Sequence, residues 1–389
     1  MTRLFSVCTR GRLRIVAPLL LLLAPFLISA CTPSHPQSTF DAAGPVAADQ
    51  RFLFLFIFWV AIAVFVVVEG ALIYTVIRFR RRRGQGLPEQ VHGNRPLEIS
   101  WTIAPAIVLV IIAVPTIMVL LDTQTTPEEC INGDTEKCIN VEVIGHQWWW
   151  EFRYPDNGGL VTANELHMPA GKKVNFLLDS ADVLHSFWVP KLGGKTDVFP
   201  AGGNQMWLEA SEAGTFQGQC AELCGIAHAH MRFMVMVHPT PEIPCVAGRY
   251  QPPLVEVSTE VLQSGCPMNT FEEWVEEQHA NAVPPETEGA KRGEALFLSK
   301  GCVACHTIRG NPVAAGKIGP DLTHFGSRST LAAGLLTNTP ANLERWLADP
   351  DEVKPGNIMT RDAPVYTGEL DPLDLADIAE LSAYLGSLQ

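Results

Sequence analysis

Two apolar runs separated by a cluster of arginines constrain this 389-residue chain more than any other feature. Phe52 to Ile77 is apolar apart from Glu69, and Ile103 to Leu121 is broken only by Pro105 and Pro115. Each run is close to the ~20 residues that carry a helix across a bilayer. Between them stands RFRRRRG, Arg78 to Gly84. A dense positive cluster in a short connection marks the cytoplasmic side. The expectation is a transmembrane helical hairpin over 50–121, with spans at about 52–77 and 103–121. Both its ends face outward, and everything after Asp122 is extracytoplasmic. Glu69 is costly inside hydrocarbon and so implies a partner or a function, between which the sequence does not choose.

Ahead of the hairpin, Arg3, Arg10, Arg12 and Arg14 precede a short apolar stretch, Leu19 to Ile28, which ends at Ser29-Ala30-Cys31. A charged start, a run too short to span and a small-residue site make 1–31 a signal peptide, with lipoprotein-type processing at Cys31 as one variant. The chain is therefore expected in a bacterial plasma membrane with two spans, its amino terminus and its soluble parts on the outer side. Charge follows the same division. Residues 1–100 hold 11 Lys and Arg against 5 Asp and Glu, and the remainder holds 17 against 36. A strongly acidic soluble part excludes nucleic acid as a partner and suits a basic protein.

Beyond the hairpin the pattern changes twice. Residues 122–239 contain short runs rich in branched and aromatic residues, such as VEVIG, VNFLLDS and MRFMVMVH, separated by Gly and Pro, as in a β-sandwich. Residues 240–287 are rich in Pro and Glu and read as an insertion and linker. From Glu288 to Gln389 the segments read as helices. Ten cysteines are many for a reducing compartment. Four of them, Cys130, Cys138, Cys245 and Cys266, belong to no motif, and the expected pairs are Cys130–Cys138 and Cys245–Cys266.

The segment CAELCGIAHAHM offers Cys220, Cys224, His228 and Met231 within twelve positions, and His185 lies upstream in LHSFWVP. Thiolate and thioether sulfur combined with imidazole select copper. Two thiolates four residues apart allow both sulfurs to bridge two metals. A His₂Cys₂ zinc site could use the same donors, but zinc has no need of the Met. A Cys220–Cys224 disulfide is the other alternative. His230 and His238 are not expected to be ligands.

This arrangement, a remote His followed by Cys-x-Glu-x-Cys-x-x-x-His-x-x-Met, resembles the binuclear CuA site of cytochrome c oxidase subunit II, and the resemblance covers roughly residues 45–280. It implies two membrane helices and a cupredoxin-like Greek-key domain. It also implies two copper ions bridged by Cys220 and Cys224, bound singly by His185 and His228, weakly by Met231, and by the main-chain carbonyl of Glu222. The Glu222 side chain would contribute to a Mg or Mn site shared with subunit I. By the same resemblance Trp148, one of three consecutive tryptophans, would receive electrons from cytochrome c, although the residues alone do not choose among Trp148, Trp149 and Trp150. Glu98, at the cytoplasmic start of the second span, would open a proton path into subunit I. An ordinary helix-terminal acid fits that position as well.

Cys302-Val303-Ala304-Cys305-His306 is a C-x-x-C-H haem attachment motif. A c-type haem commonly takes a Met as its second axial ligand. Met359 is the only Met after His306, with His324 as the rival. GKIGPDL, with Pro320, resembles a loop of class I cytochromes c, and that match covers about 288–389.

The expected fold is a two-helix transmembrane hairpin, a cupredoxin-like Greek-key β-sandwich and an all-α cytochrome c domain. The expected function is that of subunit II of a haem-copper respiratory oxidase. Electrons would pass from a reduced cytochrome c or a cytochrome bc complex to the c-haem, then to CuA, then to subunit I. There dioxygen is reduced and protons are pumped, with subunit III as a further partner. No dioxygen-reducing site lies in this chain. The alternatives are the electron-accepting subunit of a CuA-type nitric oxide reductase, or a membrane-tethered electron carrier or copper-delivery protein.

Overall fold

The computed structural model describes residues 35, 37–80, 90, 92–245 and 269–389. The expected signal peptide 1–31 with Cys31, Arg81 to Arg83, and Cys266 lie outside the described residues.

The two apolar runs form long helices, α1 (Pro45–Arg78) and α2 (Arg95–Gln124). Their large side chains are exposed along most of the length, among them Phe65, Val67, Val76, Leu109 and Leu121. So much apolar surface is stable only in lipid. Asn94 caps α2 by accepting the Leu97 N–H, while the Glu98 carboxylate accepts the Asn94 N–H at 3.2 Å. Pro105 and Pro115 both lie within α2.

α1 starts seven residues before the apolar run does, because its first turn belongs to the soluble domain. Val46 is buried in the sandwich core and Ala47 is buried next to it, and the Ala43 and Ala47 N–H groups donate to Lys191 O and Leu192 O. The carboxyl end of α2 is tied in a similar way, since the Trp207 indole donates to Asp122 O at 3.3 Å.

Ten strands follow. They are β1 (Cys138–His146), β2 (Trp149–Tyr154), β3 (Leu160–Ala163), β4 (Glu165–Pro169), β5 (Lys173–Ser180), β6 (His185–Trp188), β7 (Thr196–Val198), β8 (Asn204–Glu209), β9 (Gly214–Cys220) and β10 (Arg232–His238). They form two five-stranded sheets with orders β3-β2-β1-β5-β8 and β4-β10-β9-β6-β7. Alternation drives the packing: along GTFQGQC of β9 every second residue is buried. The inward residues include Trp150, Phe152, Phe176, Phe187 and Phe233. The Phe187 and Phe233 rings stack 4.9 Å apart across the core. Cys130 and Cys138 are bridged at the start of β1. Cys245 is disulfide-bonded as well.

The stretch expected to be only linker carries a helix, α3 (Phe271–His279), which opens on a capping box between Thr270 and Glu273. Phe271 and Trp274 complete the sandwich core, where Trp274 lies 5.5 Å from Tyr154 and stacks on His167 at 4.0 Å. The amphipathic pattern of FEEWVEEQ therefore marks a lid over one end of the sandwich.

In the last domain the main helices are α4 (Glu288–Ser299), α5 (Pro340–Ala348), α6 (Ile358–Asp362) and α7 (Leu375–Ser387). α4 crosses α7 at Gly293, where a Cβ would fall 2.0 Å from Glu380 O. Only glycine allows so close a crossing. Phe297 meets Tyr384 edge to face beside it, 5.8 Å between centroids.

Candidate metal centres and the contact between domains

Strand pairing assembles the first cluster. β6 runs antiparallel to β9 with Phe187 opposite Cys220, which brings His185 to the mouth of the 220–231 loop. The loop closes on itself, with the Cys220 N–H donating to Met231 O at 2.9 Å. Gly145 gives the His185 ring its room, since a Cβ there would lie 2.7 Å from the ring.

The donor atoms converge. Cys220 Sγ and Cys224 Sγ are 3.8 Å apart and are not bonded as a disulfide. Cys220 Sγ is 3.9 Å from His185 Nδ1 and 3.2 Å from Glu222 O. Cys224 Sγ is 3.6 Å from His228 Nδ1 and 3.8 Å from Met231 Sδ. A metal–thiolate bond is about 2.3 Å, so sulfurs at this spacing can both reach one ion, or share two. His185, Cys220, Cys224 and Met231 are all buried.

The electrostatics call for cations. Cys224 pulls the Cys220 thiol well below its ordinary range, while Cys220 pushes Cys224 far upward. Two thiolates this close oppose each other's charge, so full ionisation of the pair is favoured by positive charge beside it. His185 Nε2 lies 2.8 Å from Asp182 Oδ1 and donates to it, which leaves Nδ1 unprotonated toward the sulfur. Burial would raise the Asp182 carboxyl, but the bonds from His185, Val183 N–H and Gln147 N–H hold it below its usual range. These donors fit a soft metal, and the fully buried Met231 sulfur, within the cluster, favours copper over zinc.

The three tryptophans separate by environment. Trp150 faces the core, and Trp149 stacks on His146 at 4.1 Å. Trp148 is also buried, and its indole N–H donates to Cys224 O at 3.0 Å. It is therefore the tryptophan in contact with the metal loop.

In the last domain Cys302 and Cys305 lie on and just after one short helical turn, both thiols free, with His306 next. His306 Nδ1–H donates to Pro320 O at 2.8 Å, which leaves Nε2 for an iron. Cys302 and Val303 border an apolar cluster that includes Phe297, Leu322 and Phe325. These residues fit a covalently held haem. Met359 lies half-buried in α6. His324 is committed elsewhere, its Nε2 lying 3.2 Å from Ala280 O and 3.1 Å from Arg309, on the side of α3.

The cytochrome-like domain is seated on the sandwich by residues that the sequence did not single out. Glu165, 5% exposed on β4, accepts the Ser329 hydroxyl and the N–H groups of Ser329 at 2.8 Å and Thr330 at 3.2 Å. Lys354, also 5% exposed, donates to the main-chain carbonyl of Trp148.

Burial alone would raise the Glu165 carboxyl, yet it lies below its ordinary range. His167 Nε2 is 3.8 Å away, but burial pushes that imidazole down toward neutrality, and Nδ1–H is turned to His238 at 2.9 Å. His167 is nonetheless the largest influence holding the carboxyl down, followed by the Ser329 hydroxyl and the Arg328 charge. A depressed carboxyl contributes stability above its unfolded pKa and loses it as pH falls through the folded value. The contact is expected to hold through mild acid and to release only once the pH falls below the ordinary carboxylate range. Amide exchange at Ser329 and Thr330, followed against pH, reads the release. Glu165→Gln should remove the acid step, and an identical step in that variant would refute the assignment.

A lipid-spanning hairpin, a sandwich with a soft-metal cluster and a domain built for covalent haem define a membrane-bound electron-transfer protein. The models of the cytochrome c oxidase subunit II transmembrane domain, its periplasmic domain, and cytochrome c match residues 33–119, 159–238 and 290–389 in turn. Over 370 residues the chain is 36% identical to cytochrome c oxidase subunit 2 of Alkalihalophilus pseudofirmus, covering 93% of this chain and 94% of that one. The Bacillus subtilis protein of the same name is 36% identical over 89% of this chain and 92% of its own. The solved periplasmic domain of subunit II of cytochrome oxidase from Bradyrhizobium japonicum is 28% identical, spans 36% of this chain and 93% of its own, and has a TM-score of 0.28. The chain belongs to the cytochrome c oxidase subunit II family and carries a cytochrome c domain at its carboxyl end. It is a subunit of a haem-copper oxidase, a membrane protein that works with other oxidase subunits and with cytochrome c. Its two soluble domains imply copper and haem c.

Proposed function

We propose that this chain is the electron-accepting arm of the oxidase. Reducing equivalents arrive at the cytochrome domain, cross to the sandwich and leave for the catalytic subunit. The observation that carries this reading is the direct seating of the cytochrome domain on the copper loop, through Lys354 and Trp148. When bound, two coppers and one haem c supply one-electron transfer. The protein's own part is to hold the donors apart from water and in register. Cys220, Cys224, His185 and His228 would hold the copper, with Met231 and Glu222 O as weaker donors. Asp182 keeps His185 in the tautomer that presents Nδ1. Cys302, Cys305 and His306 would hold the haem, and Met359 would be its further ligand.

The covered position of Trp148 bears on its role. Lys354 of the same chain occupies its carbonyl, so Trp148 receives electrons from the fused domain, and an external cytochrome c or bc complex meets the cytochrome domain instead. The arginines between the spans support an outer, periplasmic location for both soluble domains. We assign to Glu222 a share in a Mg or Mn site facing subunit I. We assign to Glu98, already bonded to the Asn94 N–H, the mouth of a proton path. Subunit III completes the assembly.

The test is made on the purified oxidase. Two coppers and one c-haem per copy of this chain are expected. After flash reduction of the c-haem, its reoxidation should coincide with reduction of the copper centre. A single copper, or zinc, would overturn the binuclear assignment. A copper centre reduced by external donor ahead of the haem would overturn the order of transfer.

A further inference from the structure

Lys354 stands five positions before Met359 on one loop, and the loop is stiffened locally. The Asn357 side chain donates to Lys354 O at 3.0 Å and accepts the Thr360 N–H at 3.0 Å, capping the short helix α6 that holds Met359. On the facing domain, the peptide that Lys354 binds is itself fixed to the copper loop. The Trp148 indole and the Gln147 amide both donate to Cys224 O, at 3.0 and 2.8 Å. Next to this contact the copper-loop residue Ile226 lies against Gly356, where a Cβ would come within 3.1 Å of it. A continuous hydrogen-bonded path therefore runs from the loop of Met359 through Lys354 and Trp148 to Cys224.

Stability alone does not account for a lysine here. A buried ammonium loses its water shell, and its partner is a neutral carbonyl rather than a carboxylate. An apolar side chain of similar volume would fill the space without that cost. Burial pulls the Lys354 amine down to about 7, so what it adds is direction rather than charge, donating to one carbonyl at one distance.

We propose that Lys354 is a positioning residue for transfer between the two domains: its bond to the Trp148 carbonyl seats the Met359 loop on the peptide anchored to Cys224 and sets the spacing of the two redox centres. Glu165, holding Ser329 and Thr330, is the second anchor and resists rotation about the first. The proposal rests on the relay from cytochrome domain to sandwich. Tunnelling falls exponentially with separation, so a small loosening of this contact costs far more rate than stability.

The experiment uses the full chain assembled in its oxidase, with Lys354→Met compared against wild type. One readout needs no cofactor chemistry: hydrogen exchange of the segments 146–150 and 354–359, referred to the cores of both domains. The other is the rate of haem-to-copper transfer after flash reduction of the haem. In K354M both segments should lose protection and the transfer should slow about 10- to 100-fold, with wild-type copper and haem spectra. Lys354→Arg should restore both, which a purely space-filling role would not produce. Wild-type protection and rate in K354M would overturn the proposal, as would slowed transfer with protection intact. Should K354M fail to assemble, Lys354→Gln takes its place and is judged by the same outcomes. If the wild type shows no haem-to-copper transfer, the relay itself is wrong, and the exchange comparison still judges the contact.

Discussion

Replacement of Cys220 or Cys224 by Ser is expected to remove the copper centre from the assembled oxidase and leave the c-haem in place. The remaining sulfur would keep neighbours on one side only, because Cys220 lies by His185 and Cys224 by His228 and Met231. Neither half provides two bridging sulfurs. A serine hydroxyl stays protonated at neutral pH and is a hard donor, poorly matched to copper. The unsubstituted sulfurs lie 3.8 Å apart, close enough to bind metal together, so affinity is built on both thiolates. Copper per chain should fall by at least one ion, the spectrum of a mixed-valence pair should vanish, and the c-haem should remain reduced after a flash. The optical α-band of the haem serves as the internal control. A Cys224→Ser variant that kept two coppers and their spectrum would refute the bridging role.

Trp150→Ala should produce the largest loss of stability in the sandwich, about 3–5 kcal/mol, the usual range for truncating a large aromatic in a core. Trp150 is fully buried, with Phe187 at 5.6 Å, Phe233 at 5.7 Å and the His185 ring at 5.9 Å. The cavity would open beside a metal ligand as well as within the core, so a loosened His185 should accompany the lower melting temperature. Trp149→Ala is the control, because that ring stacks on His146 at the edge of the domain. It should cost less than about 1 kcal/mol. Thermal unfolding of the full-length subunit, followed in the sandwich, separates the two. A difference under about 1 kcal/mol between the variants would contradict the core role of Trp150.

These two contrasts show what could be read locally and what could not. The metal cluster was legible because Cys220, Cys224, His228 and Met231 lie within one loop, and their chemistry narrows the choice of metal before any fold is known. The haem motif was legible for the same reason. Hydrophobic period and length were enough to announce the spans and the sandwich. The choice among Trp148, Trp149 and Trp150 was not legible, since it depends on where β2 begins and which way the chain turns after His146. Nor were the anchors between domains. Lys354 and Trp148 are 206 positions apart, and Glu165 and Ser329 are 164 apart, so no local pattern ties them together. Lys354 offered one faint sign, its place beside Met359 in KPGNIM. Burying a lysine or glutamate also runs against the composition of ordinary cores, so pattern reading assigns both residues to the surface. The amphipathic segment FEEWVEEQ of α3 was visible within the Pro- and Glu-rich stretch, but its seat on the sandwich was not, because nothing local shows what its apolar face covers.

The amino end of α1 is embedded in the sandwich through Val46 and Ala47. Its 34 residues rise about 51 Å at 1.5 Å per residue, against a hydrocarbon thickness of about 30 Å. Helix and sandwich are therefore joined without a break, like a mast and its head, and the carboxyl end of α2 braces the joint. The altitude of the metal-ligand loop over the lipid surface is then a property of helix length.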